Sequence, residues 1–244
     1  MTTAALLVTL VATACNPVVP GAEGATPSPN SVTTDSTVSG DSGTVVFADD
    51  FGDPASGWGT GATPGGVHYG YAGGSYVIRL SGGGNVYDWS AAPYVVPHSQ
   101  LSVEATGTQS TTAPHATAFG VYCSPGIAEA PPFYEFLDFI DGSWALDRRD
   151  GDVGHGRRTV LKTGSAPLPP VSLANVSTTV VGMCATLSDG HTTRLVFEIN
   201  NVAIADITDT VANLPGPGWN AGIETYSQYE DLAVTVTRFR ERAL

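Results

Sequence analysis

The sequence has very little positive charge. Lys162 is its only lysine, and 10 basic residues stand against 23 acidic ones, so that the formal net charge is −13. No extended basic run occurs in the chain. Nucleic-acid phosphates and anionic lipid head groups repel so acidic a protein. We therefore expect no nucleic-acid partner.

Long apolar runs are also missing after residue 14. No later stretch approaches the roughly 18 apolar residues that a membrane-spanning helix needs, and apolar residues nowhere recur with a helical period over three turns. Short apolar runs instead alternate with turns that draw on 29 glycines and 17 prolines. This pattern predicts an all-β fold of about ten to thirteen short strands, arranged as a two-sheet sandwich.

Turn residues mark three hairpins within this region. Asp141-Gly142 separates FYEFLDFI from SWALDRR, and Ser188 to His191 separates two further apolar runs. Asn200-Asn201 forms the third turn, because asparagine adopts positive φ more readily than most residues. We predict antiparallel strand pairs on both sides of each turn.

The first fifteen residues, MTTAALLVTLVATAC, form a separate apolar segment. The run from Ala4 to Ala14 is too short to span a hydrocarbon core of about 30 Å and is typical of a secretory signal peptide. Its small residues lead directly into Cys15 and resemble a bacterial lipobox. The resemblance implies removal of residues 1–14, lipidation of Cys15 and anchoring to the outer side of the cytoplasmic membrane, facing outward into the cell envelope. Ordinary cleavage and a buried N-terminal helix are the alternatives.

Residues 15–43 are rich in Pro, Gly, Ser and Thr and contain no aromatic residue. Such a composition predicts a disordered tether with a root-mean-square reach of roughly 30 Å. The predicted organisation is therefore a signal peptide at residues 1–14, a tether at residues 15–43 and a β-sandwich domain at residues 44–244.

Two cysteines remain if Cys15 carries lipid. Cys123 and Cys184 end the apolar runs FGVYC and VVGMC, so they could lie on neighbouring strands. Cysteine pairs in exported proteins meet oxidising conditions that favour a disulfide. Two buried free thiols are the alternative.

Several segments together resemble the concanavalin A-like (LamG-like) jelly-roll domains of bacterial lipoproteins and other envelope proteins. They are DDFGDPASGW, YVIRL, FGVYC, YEFLDFIDGSWAL, VGMCATLSDGHTTRLVFEINNVAIADITD and LAVTVTRF, within about residues 45–240. The resemblance implies a jelly-roll sandwich, pairing of the first strand with the last, and a Cys123–Cys184 bridge. It leaves function open, because lectins, glucanases and adaptor modules share this fold.

A glucanase on this fold needs two carboxyl groups on one face. The nearest run is EFLDFID, with Glu135, Asp138 and Asp141. Residues three apart in a strand point to opposite faces, so Glu135 and Asp138 cannot address one substrate without a bulge. With no paired-carboxylate or nucleophile motif, we assign no catalytic residue from the sequence; a hydrolase on the same fold remains an alternative.

Asp49, Asp50 and Asp53 lie close together near the first predicted strand. Calcium prefers six to eight oxygen ligands, carboxylates among them. These three aspartates predict a structural Ca²⁺ site, whereas solvated acids at a strand end are the simpler interpretation. We expect no other cofactor.

Aromatic rings on or beside predicted strands give the chain its candidate ligand site. A groove of Trp89, Tyr134 and Trp144, with Asp138 and Arg148 as polar partners, would suit a glycan, because sugars stack their C–H faces on rings. Packing of these rings in the core is the alternative. We predict a monomeric, membrane-anchored binding module for a glycan or an envelope protein; a purely structural envelope protein is the other possibility.

Overall fold

The computed structural model describes nine stretches of the chain. Residues 1–42 lie outside them, so the predicted signal peptide, Cys15 and nearly all of the tether fall outside the described residues. The side chains of Val86, Tyr87 and Trp89 are likewise outside the described part. The described stretches are residues 43–63, 66–81, 86–111, 117–125, 133–150, 157–165, 174–211, 218–228 and 231–244. A search of these residues finds no helix of sufficient length and apolarity to cross a membrane.

The described part is built from fifteen β-strands. They are β1 (Thr44–Asp49), β2 (Gly61–Ala62), β3 (Val67–Ala72), β4 (Ser75–Leu80), β5 (Val86–Val96), β6 (Gln100–Thr111), β7 (Thr117–Pro125), β8 (Phe133–Phe139), β9 (Ser143–Asp150), β10 (Arg157–Ser165), β11 (Ser177–Thr186), β12 (Thr192–Ile199), β13 (Val202–Thr210), β14 (Trp219–Ser227) and β15 (Leu232–Ala243).

These strands form two antiparallel sheets. Sheet I has nine strands in the order β13-β12-β11-β6-β15-β4-β3-β2, with β1 also paired to β15. Sheet II has six strands in the order β10-β9-β8-β7-β14-β5. The predicted all-β sandwich is confirmed, and so is the pairing of the first strand with the last.

The strands that the sequence pattern did not predict include the two edge strands of sheet II. β5 contains Pro93, which has no N–H to donate and is tolerated at an edge. β10 carries Arg157, Arg158 and Lys162 and is mostly exposed or half-buried, so it lacks an apolar run. The central strands β7 and β14, in contrast, are buried along their whole length.

The three predicted hairpin turns are confirmed. Gly142 has a φ of 82° in the turn between β8 and β9, a conformation that favours glycine. Asn200 and Asn201 have φ angles of 51° and 64° in the turn between β12 and β13, as expected for the type I′ geometry that matches strand twist. Gly190 lies in the turn between β11 and β12.

The core lies between the two sheets and is rich in aromatic rings. Phe197 of sheet I meets Phe136 and Trp144 of sheet II edge-to-face, at centroid separations of 5.6 and 5.9 Å. At another point Trp58 from the first loop packs edge-to-face on Phe239 at 4.8 Å. Edge-to-face pairs of this kind add to the stabilisation from burial alone.

A disulfide joins the sheets. Cys123 on β7 and Cys184 on β11 are both 0% exposed and bonded, with their Cα atoms 6.6 Å apart. The predicted disulfide is therefore confirmed, but the two cysteines face each other across the core instead of lying on neighbouring strands of one sheet.

We expect replacement of both bridge cysteines by alanine to lower the free energy of unfolding by about 4 kcal/mol, because the bond closes a loop of 61 residues in the unfolded chain. Urea denaturation of the wild type and of the Cys123→Ala/Cys184→Ala variant measures the difference. Reductant should lower the wild type to the level of the variant and leave the variant unchanged. Equal stability of wild type and variant without reductant would contradict the prediction.

Candidate functional site

Sheet II has an inner face toward sheet I and an outer face away from it. Phe136 and Trp144 contact sheet I, so they define the inner face. Because successive side chains in a strand alternate between faces, Glu135 and Ala145 belong to the outer face. A second hydrophobic cluster confirms this division: Ala118, Leu137, Ala145 and Tyr226 pack together on the outer face, apart from the main core.

Charged side chains from three strands meet on this outer face. Glu135 on β8 lies opposite Asp147 on β9, and Arg149 follows Asp147 at the next position of the same face. Arg158 on the neighbouring strand β10 lies opposite Arg149. We call these four residues, together with Glu224 of β14, the outer-face cluster.

Two ion pairs organise the cluster. Glu135 accepts a hydrogen bond from Nε of Arg149, and both side chains are buried. Asp147 is 0% exposed and accepts a hydrogen bond from Nε of Arg158 at 2.7 Å. The side chain of Arg158 is 31% exposed, so this end of the cluster reaches solvent.

Glu224 has no arginine partner of its own. It is 0% exposed, and its side-chain hydrogen-bond partner is the other buried glutamate, Glu135. One oxygen of Asp147 accepts no hydrogen bond from the described residues. The cluster therefore contains three acidic side chains and two arginines, so its acids outnumber its basic residues by one.

Two glycines make room for this arrangement. Gly120 on β7 lies directly opposite Glu224, and a Cβ atom there would come 2.0 Å from the backbone oxygen of Phe136. Gly222 lies opposite Tyr122, whose Cε1 would be 2.8 Å from an added Cβ. Because β7 presents no side chain at Gly120, the Glu224 side chain can approach Glu135 across that strand.

Burial governs the protonation of these acids. It raises the pKa of Glu224 well above the usual range, and the nearby charge of Glu135 raises it further. Burial also raises the pKa of Glu135, against the opposing effect of Arg149. The pKa of Asp147 is raised by burial and counteracted by Arg158.

Aromatic rings lie on the same face on both sides of the cluster. At one end Tyr122 and Phe133 meet edge-to-face with centroids 6.0 Å apart. At the other end Phe139 and Tyr226 meet edge-to-face at 6.3 Å. Along the direction of β8 the outer face thus carries rings, then charged groups, then rings. Most of these side chains are buried, and only Phe139 and Arg158 among them are partly exposed.

The structure places four of the predicted groove residues on the opposite face. Tyr134 lies opposite Arg148, Asp138 lies opposite Trp144, and all four point toward sheet I. Tyr134 and Trp144 are 0% and 6% exposed members of the main core. Tyr134 and Asp138 do share a face, as predicted, but it is the inner one, so these rings pack in the core and do not line an open groove.

Tyr134 and Arg148 instead connect the two sheets through Asp209 on β13. Nη1 of Arg148 donates to both carboxylate oxygens of Asp209, at 2.8 and 2.9 Å, and the Tyr134 hydroxyl donates to one of them at 3.2 Å. Nε of Arg148 also pairs with Asp150 at 2.9 Å. The role of this group is to hold β9 against β13.

Trp89 is the remaining member of the predicted groove. Its Cα lies opposite that of Glu224 in the pairing of β5 with β14. Its side chain is outside the described part of the chain, so its contact with a ligand stays a prediction.

The three aspartates of the predicted calcium site do not converge. Asp49 accepts from the backbone N–H of Phe51 at 2.7 Å, and Asp50 accepts from that of Gly52 at 3.0 Å. Asp53 accepts from Ala55 in the same way at 2.8 Å. Among the described residues there is no group of three or more acidic, histidine or cysteine side chains suited to a metal ion. The arrangement does not fit calcium, because each carboxylate is turned toward its own loop backbone.

A surface cleft of about 310 Å³ lies beside these aspartates. Asp49 and Asp50 line it together with Arg238 and Arg240. Because both signs of charge are present in its wall, the cleft offers no net attraction to a charged ligand. The outer-face cluster, with its deficit of one cation, is the better candidate site.

Comparison with known proteins adds information on the fold. No protein-family model matches the chain, and no curated protein matches it. Solved structures do. The carbohydrate recognition domain of Emp46p, in its potassium-bound form, is 11% identical, with a TM-score of 0.51 over 77% of this chain and 89% of that chain. The corresponding domain of Emp47p is 10% identical, with a TM-score of 0.52 over 80% and 94%.

A third similar structure was reported for the endo-acting O-glycanases with which human gut microbiota initiate mucin breakdown. It is 9% identical, with a TM-score of 0.52 over 82% of this chain and 100% of that chain. Likeness at this level of identity shows a shared jelly-roll fold, consistent with the two antiparallel sheets described above.

Acids without partners also occur on the inner face. Asp138 and Glu241 are 0% exposed, and none of their carboxylate oxygens accepts a hydrogen bond from the described residues. Burial raises the pKa of Asp138 to about 7 and that of Glu241 to about 8. These acids bind protons more tightly in the folded than in the unfolded chain, so the folded state is favoured most at low pH. That advantage is lost as the pH rises from about 4, where the carboxyls of the unfolded chain ionise, and the loss is complete above the folded-state pKa values of about 7 and 8.

We therefore expect Asp138→Asn to gain stability relative to the wild type between pH 5 and pH 8.5, by roughly 2–3 kcal/mol. Urea denaturation at both pH values measures the change. Asp189→Asn is the control, because hydrogen bonding by Thr192 lowers the pKa of that exposed carboxyl to about 2 and its effect is constant across this range. If the stability difference between wild type and Asp138→Asn is the same at both pH values, the buried acid does not behave as described.

Proposed function

We propose that the chain is a glycan-binding module and that the outer face of sheet II is its binding surface. The observation that carries the proposal is the sequence of groups along this face: the Tyr122–Phe133 pair, the outer-face cluster, and the Phe139–Tyr226 pair. Tyr122, Phe133 and Tyr226 are 0%, 2% and 7% exposed, so among these rings the half-buried Phe139 is the one that offers a stacking surface to the C–H face of a sugar. Carboxylates and arginines offer the hydrogen bonds that sugar hydroxyls need.

The similar structures support the same proposal. Two of them are carbohydrate recognition domains, and the third belongs to work on O-glycanases. Because a fold alone does not determine function, the weight rests on the outer-face cluster, where the side chain of Arg158 is 31% exposed and can donate hydrogen bonds to a sugar hydroxyl.

A glycan array that includes peptidoglycan and arabinogalactan fragments tests the proposal with the full chain. We expect Arg158→Ala to weaken binding roughly tenfold or more, because it removes a charged hydrogen-bond donor at the solvent end of the cluster. Trp89→Ala, opposite Glu224 in the strand register, should also weaken binding.

Arg194→Ala is the matched control. Arg194 pairs with Asp206 in sheet I and is 29% exposed, close to the 31% of Arg158. Its replacement should leave glycan binding unchanged. A folded chain that binds nothing on the array would contradict the proposal and turn attention to an envelope protein as the partner.

We also propose that the module is held in a bacterial envelope by lipid on Cys15, with residues 1–14 removed. The support is the lipobox-like sequence Ala12-Thr13-Ala14-Cys15 at the end of a short apolar run. The Pro-, Gly-, Ser- and Thr-rich residues 15–43 would then keep the glycan-binding face away from the membrane surface.

Expression of the full chain in a bacterial host tests the anchor. We expect mass spectrometry to find a lipid-modified N-terminus at Cys15 and cell fractionation to find the protein with the membranes. Cys15→Ser should release the protein from the membrane fraction, whereas Ser31→Ala in the same segment should not. An unmodified Cys15, or a chain that keeps residues 1–14, would contradict the proposal.

A further inference from the structure

Two basic side chains face each other on the outer face of sheet I, near its β2 edge. The residues on either side of Arg79 in β4, Ile78 and Leu80, are 0% and 1% exposed members of the core. Arg79 therefore lies on the face of sheet I that points away from the core. His68 on β3 is directly opposite Arg79 in the strand register and shares this face. Both residues are exposed.

Neither of these side chains has an acidic partner. Ala62 lies opposite His68 on β2, and Ala233 lies opposite Arg79 on β15, so the neighbouring strands supply no carboxylate at this level. Within the described part of the chain neither Arg79 nor His68 is ion-paired. Like charges directly opposite each other destabilise a strand pair, so the two side chains repel each other whenever His68 is protonated. An anion from outside would turn this repulsion into attraction.

The pair opens onto a cleft of about 290 Å³, and both His68 and Arg79 line it. Gly70, Ala72 and Val77 line the cleft further along β3 and β4, and their side chains carry no polar group. The cleft therefore has hydrogen-bond donors at one end and an apolar wall at the other. Its volume is close to the lower limit of about 300 Å³ that is usual for small-molecule sites, so it suits a small ligand.

Arg79 also lines a second cleft of about 290 Å³ on its β15 side. Asp231 lines this second cleft and is not ion-paired with Arg79 in the described part of the chain. The Asp231 carboxylate repels an anion from that side, whereas His68 offers a further donor on the other side. An anionic ligand of Arg79 is therefore expected in the cleft that His68 lines.

We propose that the cleft beside His68 and Arg79 binds a small carboxylate that has an apolar body. The planar guanidinium of Arg79 matches the two carboxylate oxygens with parallel hydrogen bonds, and the His68 ring supplies a further N–H. The apolar part of the ligand then lies against Gly70, Ala72 and Val77. The net charge of −13 does not prevent this binding, because charges more than about 8 Å away are largely screened at physiological ionic strength.

This site goes beyond the glycan-binding proposal. It lies on sheet I and uses no residue of the outer-face cluster of sheet II. The two proposals can therefore succeed or fail separately, and a test of the carboxylate site needs no glycan.

The experiment titrates the full chain with sodium butyrate, N-acetylalaninate, acetate or phosphate at constant ionic strength and follows backbone amide signals by NMR. Butyrate represents a free organic acid, and N-acetylalaninate represents the carboxyl end of a peptide. We expect at least one of them to shift the amide signals of β3 and β4, and the tighter of the two identifies the source of the carboxylate. Acetate and phosphate should bind about tenfold more weakly, because they offer little or no apolar surface.

Arg79→Gln should weaken binding of the tighter carboxylate about tenfold or more, because it removes a charged donor of two hydrogen bonds. Arg79→Lys keeps the charge without the planar fork and should retain part of the affinity. Arg157→Gln is the matched control: Arg157 is also exposed, its replacement changes the net charge by the same amount, and it lies on β10 of sheet II. Its affinity should equal that of the wild type.

Three results would overturn the proposal. The first is the absence of any amide shift with both butyrate and N-acetylalaninate. The second is an equal loss of affinity in Arg79→Gln and Arg157→Gln, which would show that net charge, and not the cleft, attracts the anion. The third is binding of phosphate or acetate as tight as that of the larger carboxylates, which would show that the apolar wall takes no part.

Discussion

The packing of the two sheets against each other is the constraint on which the site depends. Phe136 and Trp144 contact Phe197 across the core, and Cys123 is bonded to Cys184 of the other sheet. These contacts fix one face of β8 and β9 as the inner face. Because successive side chains in a strand alternate between faces, the residues next to them in each strand point to the outer face. Glu135, Asp147 and Arg149, which alternate with these inner residues, must therefore lie on the outer face.

The two faces solve the problem of buried charge in different ways. On the inner face near the sheet edge, Asp209 is matched by Arg148 and by the Tyr134 hydroxyl, which makes a complete connection between β9 and β13. On the outer face, Glu224 is 0% exposed, against 12% for the side chain of Asp209, and it faces a second acid, Glu135, instead of a cation. A complete cluster serves the fold, whereas an incomplete one costs stability.

Local signals made much of the fold predictable from the sequence. The Asp141-Gly142 turn fixes the register of β8 and β9. This register places Glu135 opposite Asp147, so the pairing of these two residues follows from the hairpin alone. Glu224 could not be placed in the same way, because its position beside Glu135 depends on the long-range pairing of β14 with β7. For the same reason the sequence could show that Tyr134 and Asp138 share a face, but not which face meets sheet I. Edge strand β10 was not predicted, because its charged residues interrupt the alternation of apolar and polar residues that marks a strand.

Strand β15 follows every other described strand in the chain, yet it lies inside sheet I, between β6 and β4, and also pairs with β1. Until Leu232–Ala243 has been synthesised, β4 and β6 have no strand to join them and the sheet has a gap at its centre. The core therefore cannot be completed during translation before the final strand, β15, has been synthesised. The strand order itself therefore makes closure of the central gap in sheet I the last step that a growing chain can complete.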